Sequence, residues 1–240
     1  MKRFLSFDWD FFIDATADER MMMFPDGGNE NLPDFLREYI WDTYYRNPAL
    51  SEMDVTKDFA RFKFICKTFN GLAFVADSHK WMYEFVIQNT EPNEEFEVYN
   101  IDFHHDLYNF RTKGGEVNCG NWATLLLRDR PKMKYKWVKC DTSDLTAGED
   151  EVVKCEKMTM EIFNMLFPHP AESFKYLFIC RSSVWSPPHL DYKFIRAVRF
   201  IQCPVTLEKG LLKPRPYEVP TEFSEWYTMK ELVKELKNRQ

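Results

Sequence analysis

The sequence predicts an α/β fold in which a mostly parallel central sheet lies between layers of helices. Short apolar runs alternate along the chain with longer segments of mixed or helical periodicity, which is the order expected of strand–helix–strand units. Several of the apolar runs end directly at an aspartate. Because ligands of open α/β sheets bind beyond the carboxyl ends of the strands, these aspartates also indicate where a site would lie.

The order of elements supports one domain over residues 1–240, since no linker-like segment divides the chain. Strands are predicted at residues 3–7, 72–76, 98–101, 136–138, 176–180 and 198–201. Helices are predicted at residues 32–45, 57–69, 80–89, 121–128, 150–167 and 228–238. Residues 14–31 and 111–118 are predicted to be loops beside the site.

Composition excludes several classes of protein. Of 240 residues, 45% are hydrophobic and 17% aromatic, and the formal net charge is −6. The aromatic content suits a large core, and the acidic balance disfavours a nucleic-acid partner. Early charges and the lack of an apolar stretch of about 18 residues disfavour a signal peptide and a membrane span. With six scattered cysteines and no C-x-x-C pattern, we expect a reduced, cytoplasmic protein.

The first candidate for chemistry is the D-x-H-x-D pattern formed by Asp102, His104 and Asp106. If the preceding strand continues through it, these three side chains share one face, because residues two apart point the same way. Two carboxylates and one imidazole suit a divalent ion such as manganese. The alternative is an exposed polar loop.

Asp8 and Asp10 form a second cluster after the first strand, surrounded by aromatic residues. Buried carboxylates need a counter-charge, which a metal ion can supply. Alternatively, one aspartate caps a turn and the other pairs with a basic residue. A third cluster contains Asp77, Ser78 and His79. It offers a further imidazole or carboxylate ligand, unless Asp77 or Ser78 caps the next helix.

Together these clusters resemble the signatures of arginase-like ureohydrolases. Residues 102–106 match the D-A-H-x-D strand end of that superfamily, residues 6–10 match its S-F-D-x-D strand end, and His79 is similar to its separate histidine ligand. A more specific likeness is to a small divergent branch with D-S-H-x-D-L, G-N-W and D-x-D-F-F elements, here residues 102–107, 120–122 and 8–12. That branch includes peptide arginases, which convert arginine in ribosomally made precursor peptides to ornithine and urea.

The resemblance implies a three-layer arginase/deacetylase-like fold and a site for two manganese ions. Asp102 and one of the N-terminal aspartates would bridge the ions, and an activated water would attack the guanidinium carbon. Asp106 would also accept a proton from that water. The partner would be an arginine-containing precursor peptide. The metal ligands would be Asp8, Asp10, His79, Asp102, His104 and Asp106.

Two departures from the superfamily pattern matter. The D-x-D strand comes first here, whereas ordinary arginases place it after the D-x-H-x-D strand, so the strand order would be rearranged. Trp122 also stands where those enzymes carry a proton-transferring histidine, which leaves His105 and His189 as substitutes. The further candidates for substrate binding are Asn121 and Trp122 of the G-N-W element and the carboxylates Asp14, Glu19, Asp191 and Glu218.

Three alternatives stay open at this point. A phosphatase of the haloacid dehalogenase type would use Asp8 and Asp10 but gives no role to the D-x-H-x-D pattern. A deacetylase on the arginase-like fold would hold one zinc ion. A binding protein that keeps the fold but has lost catalysis would explain Trp122 at the proton-transfer position.

Overall fold

The structure is a computed structural model that describes residues 1–16, 18–20, 40–108, 115–143 and 155–217. Its strands are β1 Lys2–Asp8, β2 Ile13–Asp14, β3 Asp54–Val55, β4 Leu72–Ala76, β5 Phe96–Ile101, β6 Met133–Lys139, β7 Glu156–Thr159, β8 Tyr176–Cys180 and β9 Val205–Leu207. Seven of them form a sheet in the order β7-β6-β5-β1-β8-β4-β9. Every neighbouring pair in this sheet is parallel, while β2 and β3 form a separate antiparallel pair.

Helices connect the strands and cover the sheet. They are α1 Pro48–Ser51, α2 Phe59–Thr68, α3 Trp81–Asn89, α4 Trp122–Asp129, α5 Met160–Leu166, α6 Pro170–Ser173 and α7 Asp191–Val198. In the described ranges, no helix combines the length and the apolar character that crossing a membrane requires.

The sheet has a hydrophobic core on each face. Leu5 and Phe7 of β1 belong to a core that also contains buried residues of α2, α5 and α7. Phe4 of the same strand belongs to the other core, with residues of α3 and α4. This alternation along β1 is the period of two expected of a strand buried on both faces. The predicted α/β fold with helices on both sides of a parallel sheet is therefore confirmed.

The central position of β1 brings the predicted site elements together. It pairs with β5 on one side and β8 on the other, with Phe7 opposite Ile101 and Asp8 opposite Cys180. Since the strands are parallel, Asp8 and Asp102 leave the sheet at the same edge. The D-x-D and D-x-H-x-D strands are thus direct neighbours, although they are far apart in the sequence.

Two predicted elements differ from the structure, and the structure contains elements that were not predicted. The predicted strand at residues 198–201 is the end of α7 and the turn after it, because Phe194, Ile195 and Val198 supply the buried face of a helix. The predicted helix at residues 150–167 contains β7 followed by α5 in its described part. The short, exposed strand β9 was not predicted. Residues 40–44 are helical, but the rest of the helix predicted at 32–45 and all of that at 228–238 lie outside the described residues.

The close packing of β4 against β8 generates a first prediction. A Cβ added to Gly71 would lie 2.2 Å from the Lys175 backbone oxygen, so Gly71→Ala should lower the free energy of unfolding by roughly 2 kcal/mol. Gly120→Ala is the matched control, since its added methyl meets the Tyr108 ring at 2.9 Å and a side chain can shift. Chemical denaturation measures both values. Equal losses in the two variants would contradict the packing argument.

Candidate metal centre

Six acidic and imidazole side chains converge at the carboxyl ends of β1 and β5. Five of them form two groups of three that share Asp102, namely Asp8 with His79 and Asp102, and Asp10 with Asp102 and His104. Within each group, one ligand atom per residue lies within 4.8 Å of the others. Asp102 belongs to both groups, and Asp106 lies beside the first. Each group could hold a metal ion.

His79 is the centre of the first group. Its Nδ1 lies 3.2 Å from Asp8 Oδ2, 3.1 Å from Asp102 Oδ2 and 3.2 Å from Asp106 Oδ2. One ring nitrogen carries at most one hydrogen and cannot satisfy three carboxylates. The other nitrogen, Nε2, lies 2.7 Å from Ser6 Oγ, a contact that fixes the ring and presents Nδ1 to the carboxylates.

The second group is built around His104. Its Nδ1 lies 3.1 Å from Asp10 Oδ2 and 3.9 Å from Asp102 Oδ1. Asp102 therefore directs one oxygen to each group, which is the arrangement of a bridging carboxylate. Asp10 is fully buried, and neither of its oxygens accepts a well-formed hydrogen bond from the described residues. A buried carboxylate that accepts no well-formed hydrogen bond is expected to have another partner, and a cation would satisfy it.

Turns, rather than a continued strand, produce this convergence. β1 ends at Asp8, whose Oδ1 accepts a hydrogen bond of 3.1 Å from the Asp10 amide and caps a 3₁₀ turn over Trp9–Phe12. β5 ends at Ile101, after which Asp102 Oδ1 accepts a hydrogen bond of 2.8 Å from the His104 amide. The expectation that these side chains share a face of an extended strand was therefore wrong in its geometry, although the side chains do meet.

A shell of polar residues orients the carboxylates. The side chain of Asn100 donates to Asp102 Oδ2 at 3.0 Å. Ser182 Oγ donates to Asp8 Oδ2 at 2.5 Å, and Trp122 Nε1 donates to Asp106 Oδ2 at 2.5 Å. Sequence reasoning missed Asn100 and Ser182. Asn100 could have been found from the sequence, because it is a polar residue in an apolar strand and shares a face with Asp102. Ser182 could not, because its role depends on β8 lying beside β1, which the sequence does not show.

The electrostatics of the cluster reflect crowded negative charge. Burial and the neighbouring Asp10 and Asp102 raise the pKa of Asp8 to about 7. Burial and Asp102 raise the pKa of Asp106 well above its usual value. Burial opposes protonation of both imidazoles, but the adjacent carboxylates outweigh it and raise the pKa of His79 and His104. The crowded carboxylates thus favour positive charge at this centre, which protons or a metal ion could supply.

Two histidines proposed for proton transfer take part in packing. His105 is buried, its Nδ1 accepts a hydrogen bond of 2.9 Å from the Leu107 amide, and its ring centroid lies 4.3 Å from that of Tyr108. His189 lies 2.7 Å from the Tyr45 hydroxyl through Nδ1 and 2.8 Å from the Met53 carbonyl through Nε2. These are packing contacts, and the catalytic role proposed for His105 gains no support from them.

The candidate residues for substrate recognition are mostly engaged within the chain. Asp191 was proposed for guanidinium binding, but it already pairs with Arg215. Its Oδ1 accepts a hydrogen bond of 2.6 Å and its Oδ2 one of 2.9 Å from that guanidinium. Asn121 closes its own loop by accepting from the Asn118 amide at 2.8 Å. Glu19 accepts from the Thr16 amide at 2.7 Å. Both oxygens of Asp77 are similarly engaged, since Oδ1 accepts from Arg181 and Oδ2 accepts from Ser183.

The other three candidates for substrate recognition differ in position. Trp122 is completely buried, and its bond to Asp106 makes it a support for a ligand rather than a surface for substrate. Asp14 is exposed in β2 and lines a cavity beside the centre. Glu218 lies outside the described residues.

One side of the centre is more open than the rest. The His104 side chain is 16% exposed, whereas that of Asp10 is 0% exposed and those of His79 and Asp102 are each 1% exposed. The Trp185 ring lies 5.4 Å from the His104 ring. A reactant would therefore approach the centre past His104 and Trp185.

These pKa shifts generate a prediction for the metal-free protein. The pKa of Asp8 rises from 3.8 to about 7 on folding, so its stabilising contribution is present below about pH 4 and is lost as the pH rises through 7. His79 and His104 act in the same direction, since their pKa values are also raised. The protein in chelator should therefore be less stable at pH 8 than at pH 5, by roughly 2 kcal/mol.

Thermal denaturation at the two pH values measures this difference. Asp8→Asn should reduce it, and saturating Mn²⁺ at pH 8 should restore the lost stability. An identical pH dependence of the metal-free protein and of Asp8→Asn would contradict the assigned role of Asp8.

No family model, curated protein or solved structure matches the chain. The interpretation of this centre therefore depends on its own geometry.

Proposed function

We propose that this protein is a binuclear metal-dependent hydrolase that cleaves the guanidinium group of arginine within a peptide, giving ornithine and urea. The observation that carries the proposal is the pair of Asp/His groups that share Asp102. Paired ions in hydrolases sit about 3.5–4 Å apart, a spacing that one bridging carboxylate supports.

The donor set fits two divalent ions. All candidate ligand atoms are carboxylate oxygens or imidazole nitrogens, which suit manganese better than a soft, thiolate-binding ion. Four carboxylates carry a formal charge of −4, which two divalent ions would balance while both imidazoles stay neutral. Neutral imidazole is the form that ligates a metal. Asp8 and His79 would hold one ion, Asp10 and His104 the other, and Asp102 both.

The residues of this chain would perform the remaining tasks of the reaction. When bound, the ions supply Lewis acidity, which lowers the pKa of water and provides a nucleophile near neutral pH. Asp106, a buried carboxylate beside His79, would accept a proton from that water. Trp122 fixes the orientation of the Asp106 carboxylate, because its Nε1 donates a hydrogen bond to Asp106 Oδ2. The aromatic face of Trp185 beside His104 suits a planar cation such as guanidinium.

The assignment of arginine as substrate draws on two kinds of support. Residues 8–12, 102–107 and 120–122 resemble the peptide-arginase branch, and the Trp185 ring beside His104 offers an aromatic face for a planar cation. The phosphatase alternative would make Asp8 a nucleophile. It is less favoured because both Asp8 oxygens are held, Oδ1 by the Asp10 amide and Oδ2 by Ser182, and because it gives the two imidazoles no role.

Asp102→Asn tests the proposal. The protein loaded with Mn²⁺ should release urea from an arginine-containing peptide, with a loss of about 42 Da per modified arginine, as expected when water cleaves a guanidinium. Asp102→Asn should lower this rate by about a thousandfold and reduce the bound manganese below two ions per chain. Mass spectrometry, a urea assay and metal analysis give the three readouts.

Asp129→Asn is the matched control, because Asp129 is an exposed aspartate at the end of α4, and it should keep both ions and full turnover. Turnover of free arginine with no change in any peptide would contradict the peptide assignment. Metal binding without urea from either substrate would favour the binding-protein alternative.

A further inference from the structure

A cavity of about 450 Å³ lies beside the candidate metal centre, and both charged and apolar side chains line it. It sits at the carboxyl ends of β6 and β7, and Phe11, the neighbour of Asp10, forms part of its wall. The size is within the range of small-ligand sites. It is therefore well placed to hold the part of a substrate that flanks the reacting group.

A buried arginine with an unused donor lines this cavity. Arg20 is 1% exposed, and its two terminal nitrogens donate to the carbonyls of Asp10 at 2.8 Å and Ile13 at 2.7 Å. The Phe103 ring packs 4.4 Å from its Cζ. Among the described residues, Nε has no hydrogen-bond partner. Because an unpaired buried donor costs free energy, Nε indicates a missing acceptor.

A second unpaired polar atom belongs to Thr56, another residue that lines the same cavity. Thr56 Oγ1 is buried and has no partner among the described residues. Together with Arg20 Nε it offers one fixed donor and one hydroxyl that can accept. A peptide bond complements this pair, since its carbonyl accepts and its N–H donates.

The rim of the cavity is acidic. Asp14, Asp58, Asp141 and Glu161 line it, opposed by Lys57 and Lys139. Asp58 precedes α2, yet its side chain makes no capping hydrogen bond. Burial raises the pKa of Asp58, Lys57 opposes this effect, and Glu161 and Asp141 raise the pKa further. A cationic group would relieve this repulsion between carboxylates.

We propose that this cavity binds the peptide segment next to the reacting arginine, with a backbone amide on Arg20 and Thr56 and a basic side chain at the acidic rim. The inference rests on the proposed function, since it specifies the substrate as a peptide with a lysine or arginine beside its target. It adds a specificity site that is separate from the metal ligands.

Binding of two labelled peptides to the manganese-loaded full chain tests the proposal. Citrulline replaces the target arginine so that no turnover occurs, and its neighbours on both sides are lysine in one peptide and glutamine in the other. Fluorescence anisotropy should show about tenfold tighter binding of the lysine peptide. The Asp58→Asn/Asp141→Asn variant should abolish this preference without weakening the glutamine peptide, and Thr56→Val should weaken both peptides severalfold.

Glu84→Gln/Asp129→Asn, two exposed changes in α3 and α4, removes the same number of charges and is the control for net charge; it should keep the preference. Equal affinity for the two peptides, or a preference that survives in Asp58→Asn/Asp141→Asn, would overturn the inference, as would unchanged binding in Thr56→Val. The outcome is independent of catalysis. A lysine preference without urea release from arginine peptides would contradict only the proposed function. Urea release without a lysine preference would contradict only the assignment of the cavity.

Discussion

Repulsion among four buried carboxylates is the constraint on which the rest of this site depends. Asp8, Asp10, Asp102 and Asp106 share a volume that is almost closed to water, where like charges interact strongly and solvation is poor. Two imidazoles cannot neutralise all four. Asn100, Ser182 and Trp122 orient the carboxylates through hydrogen bonds and Ser6 orients His79, but these residues add no positive charge. Such a cluster is stable only with protons or cations in it.

The parallel sheet makes this concentration of charge possible. β1 lies at the centre, with β5 and β8 as its neighbours, so three chain segments that are distant in sequence deliver their polar ends to one place. The strands below are buried over most of their length and carry mainly apolar side chains on both faces, which supplies a rigid base. The turns after β1 and β5 then aim the side chains, and the strain of Asp106, with φ at 54°, falls at the site where such backbone strain is commonly stored.

Most of the sheet and all six clustered side chains could be predicted from the sequence, because an aspartate or histidine just after an apolar run can be recognised from the neighbouring residues alone. The geometry of the site could not be predicted. The period of two predicts an extended strand through Asp10 and Asp102, whereas each of these residues lies in a turn. The side-chain partners that depend on the tertiary fold could not be predicted either. Asp191 looked available for a guanidinium until the fold placed Arg215 on it, and Arg20 gave no signal until the fold buried it beside Asp10.

The acid cluster and the neighbouring cavity divide the work in this account. In the proposed function, the cluster would provide the reacting centre and the cavity would hold the flanking chain. The central claim is that Asp102 bridges two ions, and electron paramagnetic resonance of the protein titrated with Mn²⁺ tests it most directly. Ions about 3.5–4 Å apart are expected to couple magnetically, so we predict a spectrum of a spin-coupled pair at two equivalents. A plain six-line spectrum of isolated manganese at saturation, or saturation at one ion per chain, would contradict the account.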